Sequence, residues 1–351
     1  MNRENLLRLR LTNQQLIQPQ FQQAVDLVRW MCAMQAQDYP SALWAMGMRL
    51  SSATEASVEQ ALDDRKIVRS WILRGTFHIC HAEDIHWLLD LVGHRVISQK
   101  KSRYSQLELE EVTLQKAMAV LSKTLEGGNE LERSVIGEAL EQAGISTAGQ
   151  RLYHILHHAA LEKLICLGQR KGKQFTYTLL SEYLPAPPPF DREKALAEIA
   201  KRFFLSRGPA SLRDFAWWAG LTAKDAKAAL EMVKPALAEY DFEGKSLWGN
   251  PEAELAGDKL PTLLLPAFDE YVIPYQDKSL VLNEGQNLAS ISRNGMFFPL
   301  IIQKGKLTGT WKRTIKKETV KIEVTPLGEV GEIANSSQAY GQFLGKIVEL
   351  P

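Results

Sequence analysis

Cysteine is scarce in this chain. Its 351 residues hold three, Cys32, Cys80 and Cys166, each in an apolar stretch. That excludes a disulfide-stapled scaffold, and the spacing matches no zinc site. Buried thiols in a reducing compartment fit better. Long hydrophobic runs are also missing: none reaches the ~18 residues a membrane span requires, so no membrane association is expected. Met1-Asn2-Arg3-Glu4 opens into polar sequence without the core of a signal peptide. A cytoplasmic location is therefore expected. Nor is there an excess of one charge. Lys and Arg number 42 against 41 Asp and Glu, a net charge of +1, which argues against nucleic-acid binding by bulk charge and leaves local basic faces open. No phosphate-cradling loop, dinucleotide fingerprint or nucleophile elbow occurs, and no cofactor is expected. What remains is an ordinary globular composition, 45% hydrophobic, in a chain long enough for two or more domains.

The order of elements is more informative. Three stretches share a pattern of two or three helices followed by a short hairpin. The clearest spans Leu131 to Leu180. Leu131 to Gln142 has helical composition, Gly144 marks a turn, and Ser146 or Thr147 can cap a second helix carrying Leu152, Ile155, Leu156, Ala159, Leu161 and Leu164. Ile165-Cys166-Leu167 and Phe175 to Leu179 then read as strands around the turn Arg170-Lys171-Gly172-Lys173. The second case starts at Phe190. Ala195 to Leu205 is helical, Ser211 with Asp214 and Thr222 with Asp225 read as helix starts, and Gly220 separates them. The third lies at the N-terminus, with helices expected near 21–34, 41–50 and 55–64 and strands over Ile67–Leu73 and Thr76–Cys80. Helix, turn, helix, hairpin is the order of a winged helix.

Pro185-Ala186-Pro187-Pro188-Pro189 predicts a stiff linker. Beyond Thr262 the chain turns β-rich. Phe297–Gln303 and Leu307–Trp311 form an expected hairpin with Lys304-Gly305-Lys306 at its tip, and Thr319–Thr325 alternates like a half-buried strand. The expected fold is therefore α+β: three tandem winged-helix units and a β-rich C-terminal portion. The expected boundaries are 1–110, 111–184, a linker at 185–189, 190–260 and 261–351.

Met34-Gln35-Ala36-Gln37-Asp38-Tyr39-Pro40 is the first candidate site. An apolar stripe of Ala24, Leu27, Val28 and Met31 must end there, because Pro40 turns Tyr39 away from the helical region. In an extended exit, Gln35 and Gln37 project to one side and could hold a water or a sugar oxygen. The same residues could equally be an exposed polar helix end. Around Gly75, Arg74, Thr76 and His78 are expected on one face, able to grip a phosphate, or merely solvated. His157-His158 has no partner at metal-ligand spacing, and no metal is expected. Asp269-Glu270, after the Leu263-Leu264-Leu265 strand, is the best acidic candidate, with a structural turn as the alternative. Basic clusters stand at Lys100, Lys101 and Arg103, at Arg170, Lys171 and Lys173, and from Lys304 through Lys317.

Repeated helix-turn-helix units mostly bind duplex DNA, with basic wing tips against phosphates. Four motifs stand in order: Gln35-Ala36-Gln37-Asp38-Tyr39-Pro40; Arg69-Ser70-Trp71 through Arg74-Gly75-Thr76-Phe77-His78; Leu265-Pro266-Ala267-Phe268-Asp269-Glu270-Tyr271; and Gly309-Thr310-Trp311-Lys312-Arg313. With them, nearly the whole chain resembles the tandem winged-helix DNA glycosylases of the AlkZ type. The resemblance implies a monomeric, nucleoid-associated, cofactor-free enzyme acting on duplex DNA with alkylated purines, in some members including interstrand crosslinks. It implies Gln35 and Gln37 as the catalytic pair, in the family's Gln-x-Gln form; the aspartate-bearing form of a related branch is absent at position 37. Contacts to DNA are expected from Arg69, Arg74, His78, Lys304, Lys306, Trp311, Lys312 and Arg313. A DNA-binding protein without activity, and a protein-docking module, are the alternatives.

Overall fold

A computed structural model describes every residue except Ala186, Pro189, 256–258 and Pro351. Two of the five expected linker residues, Ala186 and Pro189, thus lie outside the described residues. The chain divides into two compact units, one of Met1–Ala61 with Leu196–Pro351, the other of Leu62–Ala195. The first unit is discontinuous in sequence, and its boundary at residue 61 falls inside the stretch 1–110. The fold is α+β.

In the discontinuous unit, Asn2 caps the helix Arg3–Asn13 by accepting from the Asn5 amide at 2.8 Å. The stripe Ala24, Leu27, Val28 and Met31 is buried on the helix Ala24–Met31, as its spacing predicts. That helix stops three residues before Met34. Cys32 adopts φ 63°, ψ −60°, and Ala33–Gln35 continues as a strand. Asp38 then caps the helix Tyr39–Gly47, accepting from the Ser41 amide at 3.0 Å, and Pro40 sits in its first turn, where no amide donor is needed. Later in the chain come the helices Arg192–Arg207, Leu212–Ala219 and Ala223–Val233 and the hairpin of Ala238–Phe242 with Lys245–Gly249. Ser211 and Asp214 form the reciprocal cap their spacing predicts, and Gly220 closes its helix at φ 70°. Phe203, Phe204, Phe215 and Trp218 pack ring to ring at 5.1–5.3 Å.

A five-stranded sheet completes this unit, in the order Ile347–Glu349, Thr319–Pro326, Lys306–Ile315, Leu300–Gln303, Leu263–Leu265. Its hairpin turns at Lys304 and Gly305, both at positive φ, with Gln303 opposite Lys306. The tip is packed down. Gly305 is buried, its carbonyl accepts from the Tyr271 hydroxyl at 3.0 Å, and a Cβ there would meet Leu7 at 2.9 Å. Leu7, Leu11, Leu265, Tyr271, Leu300 and Leu307 belong to one core. Trp44 ties the helix Tyr39–Gly47 to the sheet through the Leu264 carbonyl at 2.8 Å.

In the other unit, Ile67–Trp71 pairs antiparallel with Phe77–His81. The helices Glu111–Leu125, Arg133–Gln142 and Arg151–Leu161 precede the hairpin of Ile165–Lys171 with Gln174–Leu179. Leu131 adds a single bridge to Tyr177. Ile136, Leu140, Ile155, Leu156, Ile165 and Leu167 share one core with Trp71. The expected cap at Ser146 or Thr147 is corrected. The helix begins four or five residues later, at Arg151, and Thr147 instead donates its amide and hydroxyl to Glu141 at 2.5 and 2.6 Å.

Candidate active site

The Gln35-Ala36-Gln37 segment lies between a strand and a capped helix. Gln35 ends the strand Ala33–Gln35 and is buried, whereas Gln37 stands in the following bend and is exposed. The extended exit expected from sequence is thus present as far as Gln35. A carboxylate holds the backbone here, as the Gln35 amide donates to Glu270 Oε1 at 2.7 Å. Glu270 Oε2 accepts from Arg207 Nε and Nη2 at 2.9 and 2.7 Å. Arg207 also donates to the carbonyls of Met31 and Ala33, at 2.8 and 2.7 Å. The charged side chains of this pair are 0% and 2% exposed.

Asp269 makes a separate buried pair. Its two oxygens accept from Arg49 at 2.8 and 2.9 Å, and Oδ1 also takes the Tyr271 amide at 2.8 Å. Gln14 links the pairs: its Oε1 accepts from Arg49 and its Nε2 donates to the Tyr275 hydroxyl, which donates to the Arg207 carbonyl at 2.7 Å. Desolvation raises the Tyr275 pKa, keeping that hydroxyl a donor. Asp269 and Glu270 are therefore anchors inside the fold, in keeping with the structural alternative for this pair. Arg49 and Arg207 escaped sequence reading. Arg207 closes a helix just before Gly208-Pro209, where a basic residue ordinarily answers the helix dipole. Nothing local marks it as reaching Gln35's partner.

Arg313 lies beside the motif, 3.9 Å from the Asp38 carboxylate and partly exposed. Lys312 is exposed. Trp311, expected at DNA, is corrected: it is 1% exposed, and its indole donates to the Leu265 carbonyl at 2.8 Å, because alternation on this strand turns it into the core. Lys304 is exposed and Lys306 half-buried. With Arg3, Arg8, Lys259 and Glu4 they line a groove of about 520 Å³.

The remaining expected contacts lie in the other unit. The row Arg74, Thr76, His78 is not a strand face. Arg74 and Gly75 both sit at positive φ in a one-turn helix, Leu73–Gly75, which breaks the alternation. Arg74 is half-buried. His78 is fully buried, with Nδ1 2.9 Å from the Thr76 carbonyl, and Arg69 is buried with its guanidinium 4.0 Å over the Phe77 ring. Neither presents a face to DNA, which corrects both expectations. His157 packs beneath the turn, Nε2 3.0 Å from the Gly75 carbonyl. Burial pushes its pKa down to about 4, with Lys100, His154 and His158 adding repulsion and the Gly75 bond opposing them. Among the described residues no group of three or more His, Cys, Asp or Glu could hold a metal ion, and no helix is long and apolar enough to cross a membrane.

A family model described as DNA glycosylase AlkZ-like matches residues 28–339. An interstrand DNA cross-link repair glycosylase of Streptomyces sahachiroi is 23% identical over 321 residues, covering 85% of this chain and 84% of that protein. The solved structure of Streptomyces sahachiroi DNA glycosylase AlkZ matches with a TM-score of 0.82 over 100% of both chains, at 19% identity, a likeness of fold.

Proposed function

The chain belongs to the AlkZ-like family of DNA glycosylases, and from that premise we propose that it hydrolyses the N-glycosidic bond of N7- or N3-alkylated purines in duplex DNA. Each stretch of helices followed by a hairpin is read as a winged helix, three in tandem with a β-rich C-terminal portion. Arg74, Lys304, Lys306, Lys312 and Arg313 contact phosphates on this reading. The enzyme acts as a monomer at the nucleoid.

An N7-alkylated purine carries positive charge and leaves as a neutral base. The C1′–N9 bond breaks with its electron pair going to the base, an oxocarbenium-like sugar develops, and water adds to C1′ and gives up a proton. Gln35 and Gln37 orient that water and set amide oxygens near the cationic sugar. A well-placed group of this kind contributes roughly 10²–10³-fold. No lyase step follows, since the motif offers amides rather than an amine. Crosslinks joined through guanine N7 break by the same chemistry.

The observation that carries the reading is the rigid mounting of the motif: Gln35 is fixed by Glu270 on one side, and Asp38 caps the next helix on the other. The test is a single-turnover assay on DNA containing N7-methylguanine. Gln37→Ala should lower base release by roughly 10²-fold or more with DNA affinity retained. An unchanged rate removes Gln37 from the mechanism. Wild-type protein that binds this DNA and frees no base is a binder.

A further inference from the structure

One residue separates the helix ending at Met31 from the strand bearing Gln35. Cys32 is buried, and its backbone lies at φ 63°, ψ −60°, which a residue with a Cβ holds only when its surroundings impose it. The guanidinium of Arg207 straddles this residue. Nη1 donates to the carbonyl before it, of Met31, and Nη2 to the carbonyl after it, of Ala33. Glu270 completes the clamp, taking Arg207 with one oxygen and the Gln35 amide with the other.

Burying such a pair is a poor way to gain stability, because desolvation offsets most of the attraction and apolar residues of similar size do as well. Direction is what the charges add. Two carbonyls and one amide of the segment Met31–Gln35 are fixed by atoms whose own geometry is bidentate and planar. We infer that Glu270 and Arg207 are positioning residues that set the backbone turn at Cys32 and thereby the place of the Gln35 side chain. This rests on the reading of Gln35 as a water-orienting amide. Neither residue touches the reacting atoms.

The neighbouring pair supplies an internal control. Asp269, beside Glu270 in the sequence, pairs with Arg49 and is equally buried; its pair bonds to Ala45, Gln14 and Tyr271 and reaches the backbone carbonyl of Arg207 through Gln14 and Tyr275, not the guanidinium of Arg207 or the segment Met31–Gln35. Three variants separate positioning from packing. Arg207→Met with Glu270→Leu removes both charges together and leaves neither unpaired. Glu270→Asp keeps the charge opposite Arg207 and shortens its reach. Arg49→Met with Asp269→Leu removes the control pair.

Two readouts decide. Amide hydrogen exchange over residues 32–38 reports the turn with no substrate present. Single-turnover release of N7-methylguanine, alongside DNA affinity, reports its consequence. The first two variants should exchange faster at Gln35 and lose roughly 10²-fold in rate, as a displacement near 1 Å does. Their affinity for DNA should stay within about twofold, a small change on the scale where tenfold is about 1.4 kcal/mol. The control pair should keep the wild-type rate and the wild-type exchange at Gln35. Exchange that does not change, a rate that does not fall, or an equal fall in the control overturns the inference. Wild-type protein inert on this DNA defeats the proposed reaction instead, and exchange at Gln35 still decides whether Glu270 fixes it.

Discussion

Gly75 can be tested against Gly172, because the two glycines share one backbone demand and differ in surroundings. Both lie in the unit Leu62–Ala195 at positive φ, +68° and +62°. Alanine at either position meets the left-handed penalty of about 1–2 kcal/mol, partly offset by about 0.4–1 kcal/mol from a stiffer unfolded chain. A Cβ at Gly172 meets nothing within 4 Å. At Gly75 it would stand 2.6 Å from Val96 Cγ1 and 2.8 Å from His157 Nε2. Crowding in a packed site costs about 1–3 kcal/mol. Displacing the His157 ring also breaks its bond to the Gly75 carbonyl, another ~1–3 kcal/mol for buried groups left unsatisfied. Gly75→Ala should therefore exceed Gly172→Ala by at least about 2 kcal/mol. Native-state hydrogen exchange in the strands Ile165–Lys171 and Gln174–Leu179 reads this unit alone. The gap corresponds to roughly 30-fold faster exchange in Gly75→Ala, at 1.4 kcal/mol per tenfold. Equal exchange in the two variants would refute the packing argument.

Three further outcomes are expected. Replacing Lys304 and Lys306 together by alanine should reduce the slope of log affinity against log salt by about 1.8, at ~0.9 per phosphate contact; an unchanged slope, measured by titration at several salt concentrations, removes that groove from the DNA path. His157 has a folded pKa of about 4, below its unfolded value of 6.5. The unfolded chain then binds the extra proton between these values. The contribution, about 3 kcal/mol, is complete above pH 6.5 and disappears as pH falls towards 4. Urea denaturation across that range should show a shallower pH dependence in His157→Gln. Asp38→Ala should lose about 1 kcal/mol of stability by urea denaturation while Asp38→Asn retains most of it, since asparagine caps equally well.

The regular elements could be read from the chain wherever a pattern was local. Ser211 with Asp214, Gly220, the stripe Ala24 to Met31, and the turn at Lys304-Gly305 each carry their own signal. Thr147 shows the limit of reading one signal at a time: a good cap residue is claimed by Glu141, six residues back in the preceding helix, and the next helix begins later. The end of the motif helix was hidden for a different reason. Composition favours a helix through Met34, whereas Arg207, far away in sequence, takes the carbonyls on either side of Cys32 where the helix ends. Strand alternation around Gly75 points His78 outward, and the family resemblance points Arg69 and Trp311 to DNA. Their burial depends on which face of a strand meets a core, and that is a tertiary fact. The segment Gln35-Ala36-Gln37 stands out in the sequence by its spacing, whereas the bond from the Gln35 backbone to Glu270 does not: in the sequence Glu270 is an acidic residue after a strand.

The divided unit also bears on synthesis. Residues 1–61 leave the ribosome well before their partners at 196–351, with the whole of 62–195 emerging in between. At about 5–20 residues per second the delay is roughly 7–27 s. For that interval Leu27, Val28, Met31 and Trp44, all buried in the finished protein, have no native cover from the rest of their unit. Nascent chains are thus open to holdases and proteases over residues 1–61, and a circular permutant running 62–351 and then 1–61 should escape that wait.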